Sequence, residues 1–152
     1  MKTIKKIQYY MVPILLLIVS FATVFSQTIW VDEAYSLELA KHSYMNLIKI
    51  DALDVHPPLY YIILRTGFLI FGVSENFIWI GRFVSLVPYV ILMIIGFTVI
   101  KKRYSKTIAY LFNVFIMGMP QMLRYSTEIR MYSWGMLFVT CAFLQMLSLI
   151  HI

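Results

Sequence analysis

Charge is what this chain has least of. Of its 152 residues only 13% are charged, and just seven are acids. A soluble domain carries about twice that share. With 61% apolar residues and a mean hydropathy of +0.81, the composition excludes a fully solvated surface and requires an integral membrane protein. Cysteine is nearly missing too. Cys141 stands alone inside an apolar run, which excludes an intramolecular disulfide and any CxxC redox or zinc motif. Internal repeats and low-complexity segments are also lacking. The net charge of +6 comes from short basic clusters beside apolar runs. That pattern orients membrane helices and does not call for nucleic acid. Aromatics are plentiful at 16%, with eleven Tyr and eleven Phe, as interfacial belts require.

A spanning helix needs about 20 apolar residues. Residues 7–27 meet this after the basic MKTIKK. A cleavable signal is the bland alternative, but the apolar core is long for one, so an uncleaved helix is expected. Further spans are expected at 77–100, 107–123 and 132–152. The segment 58–72 is apolar but short, with Arg65 in its middle. If it lies at the interface, the clusters Lys2, Lys5, Lys6 and KKRYSK (101–106) both face the cytoplasm, as the positive-inside rule favours. The expected fold is therefore all-α and integral to the membrane, as one domain with about four transmembrane helices. The N-terminus is cytoplasmic. An outer loop, 28–76, carries juxtamembrane helices near 33–49 and 58–72. A cytoplasmic turn at 101–106 and a second outer loop at 124–131 complete the layout.

Five of the seven acids and two of the three histidines fall within residues 30–61, in the first outer loop. Asp32 and Glu33 follow the first span. They read as helix capping, or as a carboxylate at the water–lipid boundary that takes a proton from an acceptor hydroxyl; the two are compatible. DVHPPL, 54–59, holds His56 on backbone stiffened by two prolines. Asp54, His56 and Glu128 are the available metal-ligand types here, too few to define a site. Arg124, Glu128 and Arg130 form the third cluster. Arg124 and Glu128 are spaced to pair along a helix, and arginines at a membrane boundary suit phosphate recognition. Arg82 either snorkels or joins them. A base, phosphate-binding arginines and a lipid-facing wall suit a sugar donor attached to a polyprenyl phosphate. The same features also fit a small non-catalytic multi-pass protein, an assembly or regulatory subunit. Paired broken helices are lacking, so a transporter segment ranks third.

The series WVDEAYS, DVHPPLYYIIL, FGVSENFIWIGRFVSL and RYSTEIRMYSWG resembles the membrane glycosyltransferases of the GT-C superfamily, nearest the protein O-mannosyltransferase and lipid A aminoarabinose transferase branch. The likeness runs from about residue 7 to the end, and the order of motifs carries it. The resemblance implies that Asp32, with Glu33 beside it, is the catalytic carboxylate. It implies that His56 faces the donor, as in the mannosyltransferases; the aminoarabinose transferases have Lys there. It implies that Glu128 is the acid of the second outer loop and that Arg130 belongs to a donor-binding group. It implies inverting transfer from a polyprenyl-phosphate sugar and leaves a divalent metal open. Members of that family are much longer. The expectation is thus an amino-terminal fragment, a chain whose remaining helices come from a partner protein, or a chain inactive alone.

Overall fold

The structure is a computed structural model and describes residues 6–26, 28–54, 56–72 and 77–150. Val73 to Asn76 of the FGVSEN motif, Lys2 and Lys5 lie outside the described residues. Within them the regular structure is helical: α1 (Lys6–Ser26), α2 (Val31–Lys41), α3 (Tyr44–Asp51), α4 (Leu59–Phe71), α5 (Phe77–Ile95), a π-helical turn (Gly96–Ile100), α6 (Lys101–Arg103), α7 (Lys106–Gly118), α8 (Pro120–Tyr125) and α9 (Tyr132–Ile150).

Three helical stretches are long and apolar enough to cross a membrane: Ile7–Ser26, Phe77–Arg103 and Tyr132–Leu149. The shortest, with 18 residues, covers about 27 Å at 1.5 Å per residue, close to the ~30 Å hydrocarbon core. The expected unbroken helix over 107–123 is replaced by two pieces. Pro120 lacks an N–H and pushes the residue before it out of the helical region; Met119 accordingly sits at φ −65°, ψ 129°. The second span runs three residues beyond its expected end, so Lys101–Arg103 close a helix and do not open a turn.

The expected helix over 33–49 is also two helices. Ser43 caps α3 by accepting from the Asn46 N–H at 3.4 Å, which ends α2 at Lys41. Here Trp30, not Asp32, is the N-cap of α2. The segment 58–72 forms α4 as expected, with Pro58 as its N-cap. Arg65 is explained by its partners: Nη1 donates to the carbonyls of Ala40 at 3.2 Å and Lys41 at 3.0 Å. These are last-turn carbonyls of α2, which have no partner inside their own helix.

The helices form a bundle with a cap. α1 packs on α5, α7 and α8, and α5 on α9. Around one end of α5, helices α2, α3 and α4 close a core of Leu37, Leu47, Tyr61, Leu64 and Phe68, with Val84 and Ile129. Prolines direct the docking. Pro88 leaves the Val84 carbonyl without its helical donor, and Trp134 Nε1 from α9 supplies one at 3.1 Å. Pro120 likewise orphans the Ile116 carbonyl, and the Tyr89 hydroxyl donates to it. Arg82, 2% exposed, donates Nη1 to the Val24 carbonyl in the last turn of α1 at 2.6 Å.

Candidate functional site

The cap positions two chain segments against each other. Glu33 stands at the start of α2 and is 1% exposed. Its Oε2 accepts from the Trp30 N–H at 3.1 Å, and its Oε1 accepts from the Ile129 N–H at 2.9 Å. One carboxylate thus caps its own helix and ties down the segment 126–131. Ile129 is fully buried because α5 offers a glycine beneath it. A Cβ on Gly81 would lie 2.9 Å from Ile129 Cδ1. The second loop, expected to be an outer loop, is therefore a buried polar stretch: Ser126, Thr127, Glu128 and Arg130 are all buried.

Pinning Ile129 sets Arg130 on one side of it and Glu128 on the other. Arg130 Nη2 donates to His56 Nε2 at 3.1 Å and lies 3.7 Å from Asp32 Oδ2. His56 must accept at Nε2, so its proton is on Nδ1, which donates to Asp54 Oδ2 at 3.0 Å. Groups from residues 32, 54, 56 and 130 thus form one continuous chain of contacts. Asp32 is its open end: its side chain is 64% exposed, against 7% for Arg130. On the other side, Glu128 Oε2 faces Arg124 Nε at 3.7 Å, and the Arg124 guanidinium lies 4.0 Å over the Trp30 ring. Burial raises the Glu128 pKa, and the nearby Arg124 only partly opposes this. An open groove of about 450 Å³ passes here, lined by Thr23, Ser26, Trp30, Leu123 and Arg124 among others. It joins hydroxyls, an aromatic face and a cation at the end of α1.

The structure therefore brings Asp32, Asp54, His56 and Arg130 together, with Glu33 holding the frame. Arg124 and Glu128 form the adjoining pair. Arg82, grouped with the phosphate-binding arginines from the sequence, is a buried helix cap. Among the described residues no group of three His, Cys, Asp or Glu comes together as a metal set. Asp54 and His56 face each other, while Glu128 turns to Arg124.

Sequence reasoning passed over the floor of the cluster. Asp51 is 2% exposed, and neither carboxylate oxygen has a hydrogen-bond partner among the described residues. Burial raises its pKa, and Asp54 raises it further. Tyr61 is buried nearby, and burial pushes its hydroxyl up to about 12. Tyr35 is raised by burial and by its hydrogen bond to Asp54. The acid-rich stretch was visible, but nothing local separates Asp51 from a solvated helix end. No protein family, curated protein or solved structure matches the chain.

Proposed function

We propose that the chain is a membrane glycosyltransferase module of the GT-C kind, acting on a sugar carried by a polyprenyl phosphate at the outer membrane face. One observation carries the reading. Asp32, Asp54 and His56 from the first loop meet Arg130 from the second at one end of the bundle. An open carboxylate therefore stands beside a fixed guanidinium, and this reading sets the pair at the water–lipid boundary. In this reading α1, α5 and α9 cross the bilayer, and α7 with α8 makes the fourth crossing in two pieces.

The chemistry follows from the charges. Asp32 accepts the proton of an acceptor hydroxyl as its oxygen bonds the anomeric carbon. The bond from that carbon to the phosphate oxygen breaks, and the polyprenyl phosphate leaves with the electron pair. The increased negative charge falls on the phosphate, where Arg124 and Arg130 stabilise it. The groove beside Trp30 and Arg124 is the entry for the phosphate, with the prenyl tail in the lipid. Arg130 gives its direct hydrogen bond to His56 and only flanks Asp32 at 3.7 Å, so Asp32 keeps access to solvent and acceptor.

The test uses proteoliposomes of the full chain and polyprenyl-phosphate sugars labelled in the sugar. Wild type moves label out of the lipid pool. Asp32→Asn slows this by about 10²–10⁴-fold, the usual loss for a general base. Membrane insertion and helicity remain. Transfer at the wild-type rate by Asp32→Asn would remove the carboxylate from the mechanism. A second reading, a non-catalytic assembly subunit, is favoured by one fact: both Glu33 oxygens are taken up by backbone N–H groups. It predicts no transfer from any donor, and partner capture that Asp32→Asn leaves intact and Glu33→Ala abolishes.

A further inference from the structure

The far end of the bundle has a different character. α5 continues through the π turn into α6, which ends at Arg103, and Ser105 caps α7 by accepting from the Ile108 N–H at 3.2 Å. Lys101, Lys102, Arg103 and Lys106 fall within six residues. The described carboxylates, Asp32, Glu33, Glu38, Asp51, Asp54 and Glu128, all belong to the cap or the loop docked on it. Lys101 is engaged: Nζ donates to the Tyr10 hydroxyl at 3.1 Å and lies over the Tyr9 and Tyr10 rings. Lys102, Arg103 and Lys106 form no salt bridge among the described residues.

Arg103 is held in place. Its Nη1 donates to the Leu144 carbonyl of α9 at 2.9 Å, which fixes the guanidinium between two helices. Beside it opens a groove of about 430 Å³ lined by Arg103, Tyr104, Leu147 and Ser148. The amino end of α7, a 13-residue helix, adds a partial positive charge. From Leu147 in the groove wall an apolar strip continues one turn along α9 to Phe143, which is 54% exposed. A positioned guanidinium, free ammonium groups and hydroxyls at the mouth of an apolar strip match one class of molecule: a phosphodiester bearing acyl chains.

We propose that this groove binds the headgroup of an anionic phospholipid. Arg103 takes the phosphodiester, Lys102 and Lys106 supply charge, Tyr104 and Ser148 face the headgroup hydroxyls, and the acyl chains lie along α9. The site is independent of the transferase reading and needs only that the bundle is embedded in a membrane. A free phosphate would use the cations but leave the apolar strip uncovered, so the lipid is the occupant.

The experiment measures lipid retention by native mass spectrometry on the full chain in neutral detergent, titrated with dioleoyl phosphatidylglycerol or dioleoyl phosphatidylcholine. Phosphatidylglycerol binds at least tenfold tighter to wild type. The triple variant Lys102→Gln, Arg103→Gln, Lys106→Gln loses about a hundredfold, at roughly fivefold per charge, and no longer distinguishes the two lipids. Lys41→Gln with Lys49→Gln, at the cap end, behaves as wild type. Should the triple variant fail to fold, Arg103→Lys keeps the charge but loses the planar fork, and its preference falls severalfold. Equal affinity for both lipids overturns the proposal, as does an unchanged triple variant. Competition by inorganic phosphate as effective as phosphatidylglycerol assigns the cations to a soluble anion and overturns the lipid.

Discussion

Asp32 and Glu33 are neighbours in sequence, yet the helix separates them completely. Asp32 at the second helical position points outward, while Glu33 at the third points into the cap. Glu33 acts through geometry. Two backbone N–H groups need two acceptor oxygens, and a glutamine offers one oxygen and one amide that repels the other donor. Glu33→Gln should therefore destabilise the protein by about 1–3 kcal/mol, the penalty of one unpaired buried group, seen as a lower thermal midpoint in detergent. Loss of activity at unchanged stability would instead make Glu33 a chemical participant. Glu128 makes a pH prediction. Burial raises its pKa above the ordinary 4.5, so the folded state binds this proton more tightly than the unfolded state. The stability it contributes is full below 4.5 and is lost as pH rises through the raised value. Glu128→Gln should flatten that decline, measured as thermal midpoint against pH. Asp51 is raised for the same first reason, so part of the slope survives in the variant.

Among the elements, arginine serves helix ends. Arg65 and Arg82 each cap last-turn carbonyls of another helix. Arg65→Met should cost about 1–2 kcal/mol through the lost charged bonds to α2, and Arg65→Lys should recover only part of it. Amide exchange at Ala52 and its neighbours, just past α3, offers a local check, since α2 and α3 share the cap. Gly81→Val would drive a side chain into Ile129, and overpacking of this kind costs about 1–3 kcal/mol. Its particular signature is proteolysis between residues 126 and 131, with the spanning helices protected. The long helices were legible in the sequence because apolar length alone defines them. The break before Pro120 was missed, because the apolar run continues through the proline that causes it. The α2–α3 division was harder, since Ser43 and His42 sit within a run of helix formers. Arg82 could not be assigned locally, because its partner Val24 lies 58 residues away.

At the scale of the whole molecule, charge is polarised between the two ends of the bundle. Met45→Cys and Lys102→Cys, each in a Cys141→Ala background, should react with impermeant maleimide from opposite sides of the membrane. Labelling from one side would undo both the layout and the site. Asp32, His56 and Arg130 come from three separate stretches of sequence and lie within contact of one another. What the motif order could not supply was the frame, which depends on contacts closed over long sequence distances. The bond from Ile129 to Glu33 spans 96 residues. At roughly 5–20 residues per second, a ribosome would need about 5–20 s after making Glu33 before its partner emerged. Throughout that interval the nascent cap would hold a carboxylate with half its partners missing. A chain stalled before residue 129 would lack the bond that closes the cap over Glu33, and one extended past it would hold both partners.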